Sequence, residues 1–187
     1  MNSLKEQTSI EAALAEVAQP VLRYLERYVG NRAIAEDLQQ ETLVRIVRGF
    51  PSFAARSSIK TWAFSIANRV AADYFRHPSR QRHIVELDEA MEAVDPGREI
   101  NQRVIEDEMN HCVRQVIDSL PDTYRAALIL HDLEELSAEQ TAEICQCSVA
   151  TAKIRIHRAR LRLKEALKKQ CAFYHDGDGV YRCDRRE

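Results

Sequence analysis

The sequence predicts an all-α protein, built as two small helical domains joined by an acidic linker. Two observations set the class. Apolar residues recur every three or four positions over long stretches that open at capping residues, and no stretch gives a strand signal. The composition agrees: five Gly and five Pro in 187 residues, with abundant Ala, Leu, Glu and Arg. A third observation divides the chain. Between Glu86 and Glu99 the periodicity lapses, acids crowd together, and Asp95-Pro96-Gly97 marks a turn. Pro78 disfavours helical geometry at His77, so the linker is placed at residues 78–104, between domains at 1–77 and 105–169, with a tail at 170–187.

The first domain reads as three helices. One runs from about Ser9 to Val29 and is closed by Gly30, with Pro20 as a candidate break. The second starts at the cap Asn31 and ends near Arg48, closed by Gly49. The third follows Ser58 and runs to about Arg76. In the second domain Asn101 to Asp118 forms one helix, and Pro121 opens another in its first turn, reaching about Asp132. Ser137-Ala-Glu-Gln140 is a capping-box pattern that opens a short helix. A tight turn at Cys145-Gln146-Cys147 follows, and Ser148 caps a last helix to about Lys169. That makes the second domain a four-helix, helix-turn-helix unit, like a winged helix without its wing.

The same composition excludes several classes of function. No apolar run approaches the ~18 residues that cross a bilayer. Residues Met1 to Gln19 lack the apolar block of a secretory signal. The five Cys are odd in number and four fall in the last quarter, unlike a secreted disulfide framework, so a cytosolic protein with reduced thiols is expected. There is no His-Glu-x-x-His, no phosphate-cradling Gly loop and no nucleophile elbow, and the six His are scattered, so an enzyme is not expected.

The net charge of −2 conceals segregation. Ala54 to His83 holds six Lys/Arg and one acid; Ile84 to Glu108 holds nine acids and two Arg; Ser148 to Gln170 holds eight Lys/Arg and one acid. Two basic segments around an acidic one suggest an anionic partner. On the last helix Val149, Ala152, Ile156, Ala159, Leu163 and Ala166 form a core face. Ser148, Thr151, Ile154, Arg155, His157, Arg158 and Arg162 gather at its start and on the other side, where a recognition helix meets base edges, with Lys153 and Arg160 at phosphate-contacting flanks. On the third helix Thr61, Trp62, Ser65, Asn68, Arg69, Asp73 and Arg76 line one broad side, opposite an apolar side of Ile59, Ala63, Ile66, Ala67, Val70 and Tyr74. With Arg56, Ser57, Ser58 and Lys60 just before, this side offers the stacking, amide and cationic groups that single-stranded nucleic acid requires. The second helix shows Asp37, Gln40, Glu41 and Val44 on one face, a set suited to a basic protein partner and not to DNA.

These residues together resemble a known family. Asp37-Leu-Gln-Gln40-Glu41 within Tyr28 to Ile46, then Phe53, Ser57-Ser-Ile-Lys-Thr-Trp-Ala63, Ile66-Ala67 and Asp73-Tyr-Phe-Arg76, and finally Leu120-Pro121, Arg125, Leu136-Ser137, Ile144 and Ser148 to Leu161 are similar, in order, to motifs of bacterial extracytoplasmic-function (ECF, group 4) sigma factors. The resemblance covers about residues 10–170 and implies a dissociable specificity subunit of RNA polymerase. It implies that Asp37, Gln40, Glu41 and Val44 dock on the clamp helices of the polymerase β′ subunit. Arg56, Ser57, Ser58, Lys60, Thr61, Trp62, Asn68, Arg69 and Arg76 would capture unstacked minus-ten bases. The second domain would hold the minus-thirty-five element as duplex and meet the β flap. The acidic linker, with Asp88, Glu89 and Glu92, would mimic nucleic acid near the RNA exit path. An anti-sigma partner and a cytoplasmic location, with membrane tethering only through that partner, are further implications. Four positions depart from the family pattern: its Arg-Asn pair reads Asn68-Arg69, and two turn glycines are replaced by Glu135 and Gln146.

The tail lies outside the resemblance. Asp176-Gly-Asp-Gly179 reads as a turn that returns Cys183 toward Cys171. No cofactor is expected, apart from zinc or a thiol switch at Cys171, His175 and Cys183, with Cys145 or Cys147 as further candidates. The competing reading is an ordinary helix-turn-helix regulator that binds duplex DNA alone; it leaves the Trp62 segment and the Asp37 face without a role.

Overall fold

The protein is described here by a computed structural model covering residues 2–76, 113–175, 177 and 181–185. Helix α1 (Asn2–Val29) is continuous through Pro20. A mid-helix proline costs about 3 kcal/mol. Here Val17, Val21, Tyr24, Leu25 and Tyr28, all essentially inaccessible on one face, offset that cost. Gly30 ends the helix at φ +73°, and a Cβ there would stand 3.1 Å from the Asp118 carboxylate. Helix α2 (Arg32–Gly49) starts where the Asn31 side chain accepts from the Ile34 amide at 3.0 Å, as the sequence implies. A 3₁₀ turn at Phe50–Ser52 leads to α3 (Ile59–Arg76).

The second half contains a helical segment at residues 113–118 (α4) and helix α5 (Asp122–Leu128). Pro121 caps α5 from outside, one position earlier than the first-turn place expected of it. The expected helix to Asp132 stops at Leu128 and widens into a π turn at Ile129–Leu133. Helices α6 (Ala138–Ile144) and α7 (Val149–Gln170) form the helix-turn-helix. Ser137 and Gln140 make both bonds of the capping box. Ser148 caps α7 through the Thr151 amide at 3.1 Å.

One element lies outside the sequence expectation. After α7 the chain forms an antiparallel hairpin of β1 (Cys171–His175) and β2 (Tyr181–Arg185), with Phe173 opposite Cys183. The sequence shows no strand signal there, and the turn expected at Asp176-Gly-Asp-Gly179 lies largely outside the described residues. The expected linker at 78–104 and its acids Asp88, Glu89 and Glu92 lie outside the described residues.

The two halves share one buried cluster that runs from Val17 on α1 through Phe64 on α3 and Ile129 to Ala159 on α7. Polar bonds join them as well. Arg27 donates to the Leu133 carbonyl at 2.6 Å and to the buried Glu134 carboxylate at 2.7 Å. Arg114 donates to the Glu26 carbonyl at 2.6 Å. Arg125, buried under the rings of Tyr28 and Phe75, donates to the carbonyls of Tyr28, Leu120 and Asp118. Helix α3 is packed by α1, α2 and α6. Its buried arc is therefore wider than the wheel expects. Phe64, on neither expected face, is fully buried edge-on against Tyr24, and Thr61 and Ser65 of the expected polar side are buried too.

Candidate nucleic-acid interface

Three surfaces emerge from this frame. The first is on α2. Asp37, Gln40, Glu41 and Val44 are all exposed, in one stripe at spacings of three and four. Gln39, their neighbour, turns inward and donates to the Ala18 carbonyl at 2.8 Å, so the two adjacent glutamines have separate tasks. The stripe continues into Val47, which the sequence reading omitted although it lies one turn beyond Val44. Val44 and Val47 are 47% and 44% exposed, an apolar pair beside Asp37 and Glu41.

The second surface is an open cleft of about 300 Å³ lined by Arg45, Gly49, Ser52, Trp62, Ile66 and Arg69. Trp62 is half-buried, and its ring centroid lies 4.7 Å from that of Phe53. Gly49 has a packing role here: a Cβ would meet the indole at 3.1 Å. Arg69 is exposed at the cleft, whereas Asn68 turns inward and accepts from the Tyr24 hydroxyl at 2.9 Å. Burial holds the Tyr24 phenol well above its ordinary pKa, so it stays a donor. This answers which of the inverted pair faces outward: it is the arginine. Arg56 is exposed in the loop, and Ala55 beside it adopts φ +49°. Ser57 is half-buried, and the half-buried Lys60 holds its ammonium 5.7 Å from the Phe64 ring centroid.

Four of the expected DNA-contacting residues also cap helices in this arrangement. The Ser58 hydroxyl accepts from the Thr61 amide at 3.0 Å and bonds the Thr61 hydroxyl at 2.9 Å, so both are spent on capping α3. Ser148 and Thr151 repeat the device on α7, at 3.1 and 2.8 Å. Arg76, at the end of α3, is exposed and pairs with Asp73 at 3.2 Å.

The third surface is the outer side of α7. Ile154, His157, Arg158 and Arg162 are exposed and Arg155 is half-buried, while Ala152, Ile156 and Ala159 face the core as expected. Ile154, 51% exposed, is an apolar group suited to a thymine methyl. Lys153 lies 3.9 Å from Glu139. Arg160, expected at a phosphate-contacting flank, is instead held by Asp132 in a bidentate pair. Among the described residues, Arg155, Arg158 and Arg162 form no ion pair with a carboxylate.

No three His, Cys, Asp or Glu side chains converge to hold a metal among the described residues. Cys145 packs against the core, and burial pushes its thiol up to about 11, which keeps it protonated and a poor ligand at neutral pH. No helix among the described residues is long and apolar enough to cross a membrane.

Comparison with known proteins places these surfaces in a family. Residues 14–81 match the model for sigma-70 region 2, and residues 110–163 match that for sigma-70 region 4. The chain belongs to the extracytoplasmic-function sigma factors of the sigma-70 family. It is 31% identical to the RNA polymerase sigma factor YlaC of Bacillus subtilis, over 89% of this chain and 96% of that one. It is 34% identical to the ECF sigma factor SigC of Mycobacterium tuberculosis, over 81% and 80% of the two chains. Among solved structures, the sigma factor RpoE of Bartonella quintana, in complex with the anti-sigma factor NepR, superposes with a TM-score of 0.66 at 27% identity, over 86% of this chain and 97% of that one. CnrH, in complex with the cytosolic domain of CnrY, shares the fold at a TM-score of 0.62 and 20% identity, over 87% and 89%. A sigma factor is a specificity subunit and not an enzyme. It binds core RNA polymerase and promoter DNA and directs promoter-specific initiation. The Asp37 stripe and Trp62 cleft of this sigma factor fall within region 2, and the α7 arginines within region 4.

Proposed function

We propose that this sigma factor divides initiation among its three surfaces. The α2 stripe of Asp37, Gln40, Glu41 and Val44, extended by Val47, docks on basic clamp helices of the polymerase. The Trp62 cleft, flanked by Arg45 and Arg69, receives unstacked non-template bases of the minus-ten element. Pulling a base from the stack costs a few kcal/mol, which ring stacking and the Arg69 guanidinium can offset, Arg45 being paired with Glu41 at 2.7 Å and lying 3.7 Å from Asp73. The exposed side of α7 reads the minus-thirty-five duplex. The single observation behind this reading is that one chain carries two cationic surfaces of different chemistry beside an exposed acidic and apolar stripe. A regulator that binds duplex alone would use only one of the three.

The factor acts in the cytoplasm under an anti-sigma protein that covers these faces, and such a partner could hold it at the membrane. The hairpin carries a candidate input, zinc or thiol oxidation at Cys171, His175 and Cys183. In the backbone register Cys171 is diagonal to Cys183 and not opposite it. Diagonal Cα atoms stand roughly 7–8 Å apart, beyond disulfide reach, and Cys171 and His175, four residues apart on one strand, stand roughly 13 Å apart, so either zinc or a disulfide would require the hairpin to rearrange.

Run-off transcription tests the reading. The purified chain is added to sigma-free core polymerase over fragmented genomic DNA, and new transcript starts are sequenced. Discrete starts sharing two spaced upstream motifs support it. Failure to bind core refutes it and favours the independent regulator. Cys171→Ser with Cys183→Ser, assayed with and without zinc chelation, tests the hairpin; identical starts throughout reject the zinc role.

A further inference from the structure

The arginines of α7 are held in two different ways. Arg160 is gripped by the Asp132 carboxylate, which fixes it and neutralises it. Arg158 and Arg162, one turn apart on the exposed side, meet Tyr124 of α5 instead. The Tyr124 ring is half-buried against the edge of the core. The guanidinium carbon of Arg162 lies 4.8 Å from the ring centroid, a cation–π distance. Arg158 beside the phenol, with the positive charges of Arg162 and Arg155, draws the Tyr124 hydroxyl below its ordinary pKa.

The difference between the two supports matters. A carboxylate orders an arginine and cancels its charge. A neutral tyrosine orders the guanidinium and leaves the charge whole. An arginine loses rotamer freedom when it meets a phosphate or a guanine edge, and one already seated loses less. We propose that Tyr124 is a positioning residue for promoter binding, holding Arg158 and Arg162 ordered yet fully charged on the duplex-facing side of α7. This rests on the assignment of α7 as the duplex reader, and it gives Tyr124 a task that neither its burial nor the core requires.

The test uses the full chain and a labelled random-sequence duplex, with anisotropy followed across a salt series at low ionic strength. Each phosphate contact adds close to one to the slope of log K against log salt. Tyr124→Phe keeps the ring and loses the hydroxyl; it binds about threefold more weakly. Tyr124→Leu loses both, binds roughly tenfold more weakly, and lowers the slope by about one. Arg158→Ala and Arg162→Ala each lower the slope likewise, and the Tyr124→Leu loss shrinks in either background because the groups act together. A packing role would lower the melting temperature and leave the slope alone. Unchanged affinity and slope in Tyr124→Leu would overturn the proposal, as would full additivity with both arginine substitutions or a wild-type slope near zero. Failure of the run-off experiment with this slope pattern intact would instead remove the sigma mechanism and leave the role of Tyr124 standing.

Discussion

Two residues should be better as glycine, and the gain can be worked from the turn geometry. Gln146 ends α6 at φ +52° and Glu135 follows the π turn at φ +56°. At the first, the Cys147 amide donates to the Ala142 carbonyl at 3.0 Å and the Gln146 amide to that of Glu143 at 3.2 Å. This is the Schellman closure, whose left-handed position glycine normally fills. An L side chain there costs roughly 1–2 kcal/mol, and glycine's greater freedom in the unfolded chain returns roughly 0.4–1 of it. The net gain for Gln146→Gly is about 0.5–1 kcal/mol, and the same holds for Glu135→Gly. Both side chains are exposed, so little contact is lost. Helix α6 separates the sites, so the gains should add. The double variant should then melt about 2–8 °C higher and raise the urea midpoint without changing the slope. Either variant unfolding at the same or a lower midpoint would refute the argument. Strain would then not be stored at these turns.

Other substitutions probe the remaining contacts. Gly49→Ala drives a methyl into the indole, so Trp62 fluorescence should shift and single-strand binding by the holoenzyme should fall severalfold, with duplex binding by the chain unchanged. Gly30→Ala meets both a left-handed φ and the Asp118 carboxylate, and should cost about 1–3 kcal/mol in a urea melt. Arg27→Ala strips a carboxylate that is only 4% exposed of its ion partner; a loss of about 1–3 kcal/mol is expected, and an unchanged midpoint would mean Glu134 is satisfied elsewhere. With its pKa near 11, Cys145 should be ionised at about one part in a thousand at pH 8. Its modification by a disulfide reagent should be slow there and accelerate tenfold per pH unit; rapid labelling at pH 8 would contradict its burial.

The caps were the part of the fold most readable from sequence, because a cap is a local bargain between one side chain and one amide. Asn31, Ser137 with Gln140, and Ser148 all stand where their spacing puts them. What the sequence hid depended on distant neighbours. Pro20 looks like a break until the apolar face beneath it is counted. Thr61 and Ser65 look like a binding face until α6 is known to cover α3 as well. The hairpin was missed for a different reason. Its five-residue strands are too short to show alternation, and the Asp-Gly turn between them lies largely outside the described residues. Of the candidate site, the α2 stripe was readable except for Val47, being a surface helix with one period. The Trp62 cleft was readable only in its residue types, since Arg45 and Gly49 reach it from another helix.

The same dependence on distant neighbours bears on how the factor works. The two surfaces proposed to read DNA belong to one packed body, joined through Arg27, Arg114 and Arg125. Promoter elements at minus ten and minus thirty-five lie about 25 base pairs apart, roughly 85 Å along the duplex axis at 3.4 Å per pair. A compact chain of this length has a radius of gyration of only about 16 Å. The packed body therefore cannot touch both elements at once. Simultaneous reading requires the halves to part, and the contacts that must break are the shared apolar cluster and the polar bonds beside it, with Arg125 held between Tyr28 and Phe75. Weakening those polar bonds should then have opposite effects on two quantities. Arg27→Ala lowers stability in isolation, yet once core polymerase holds the halves apart the lost contact no longer counts, so the variant should assemble with core at least as tightly as the wild type.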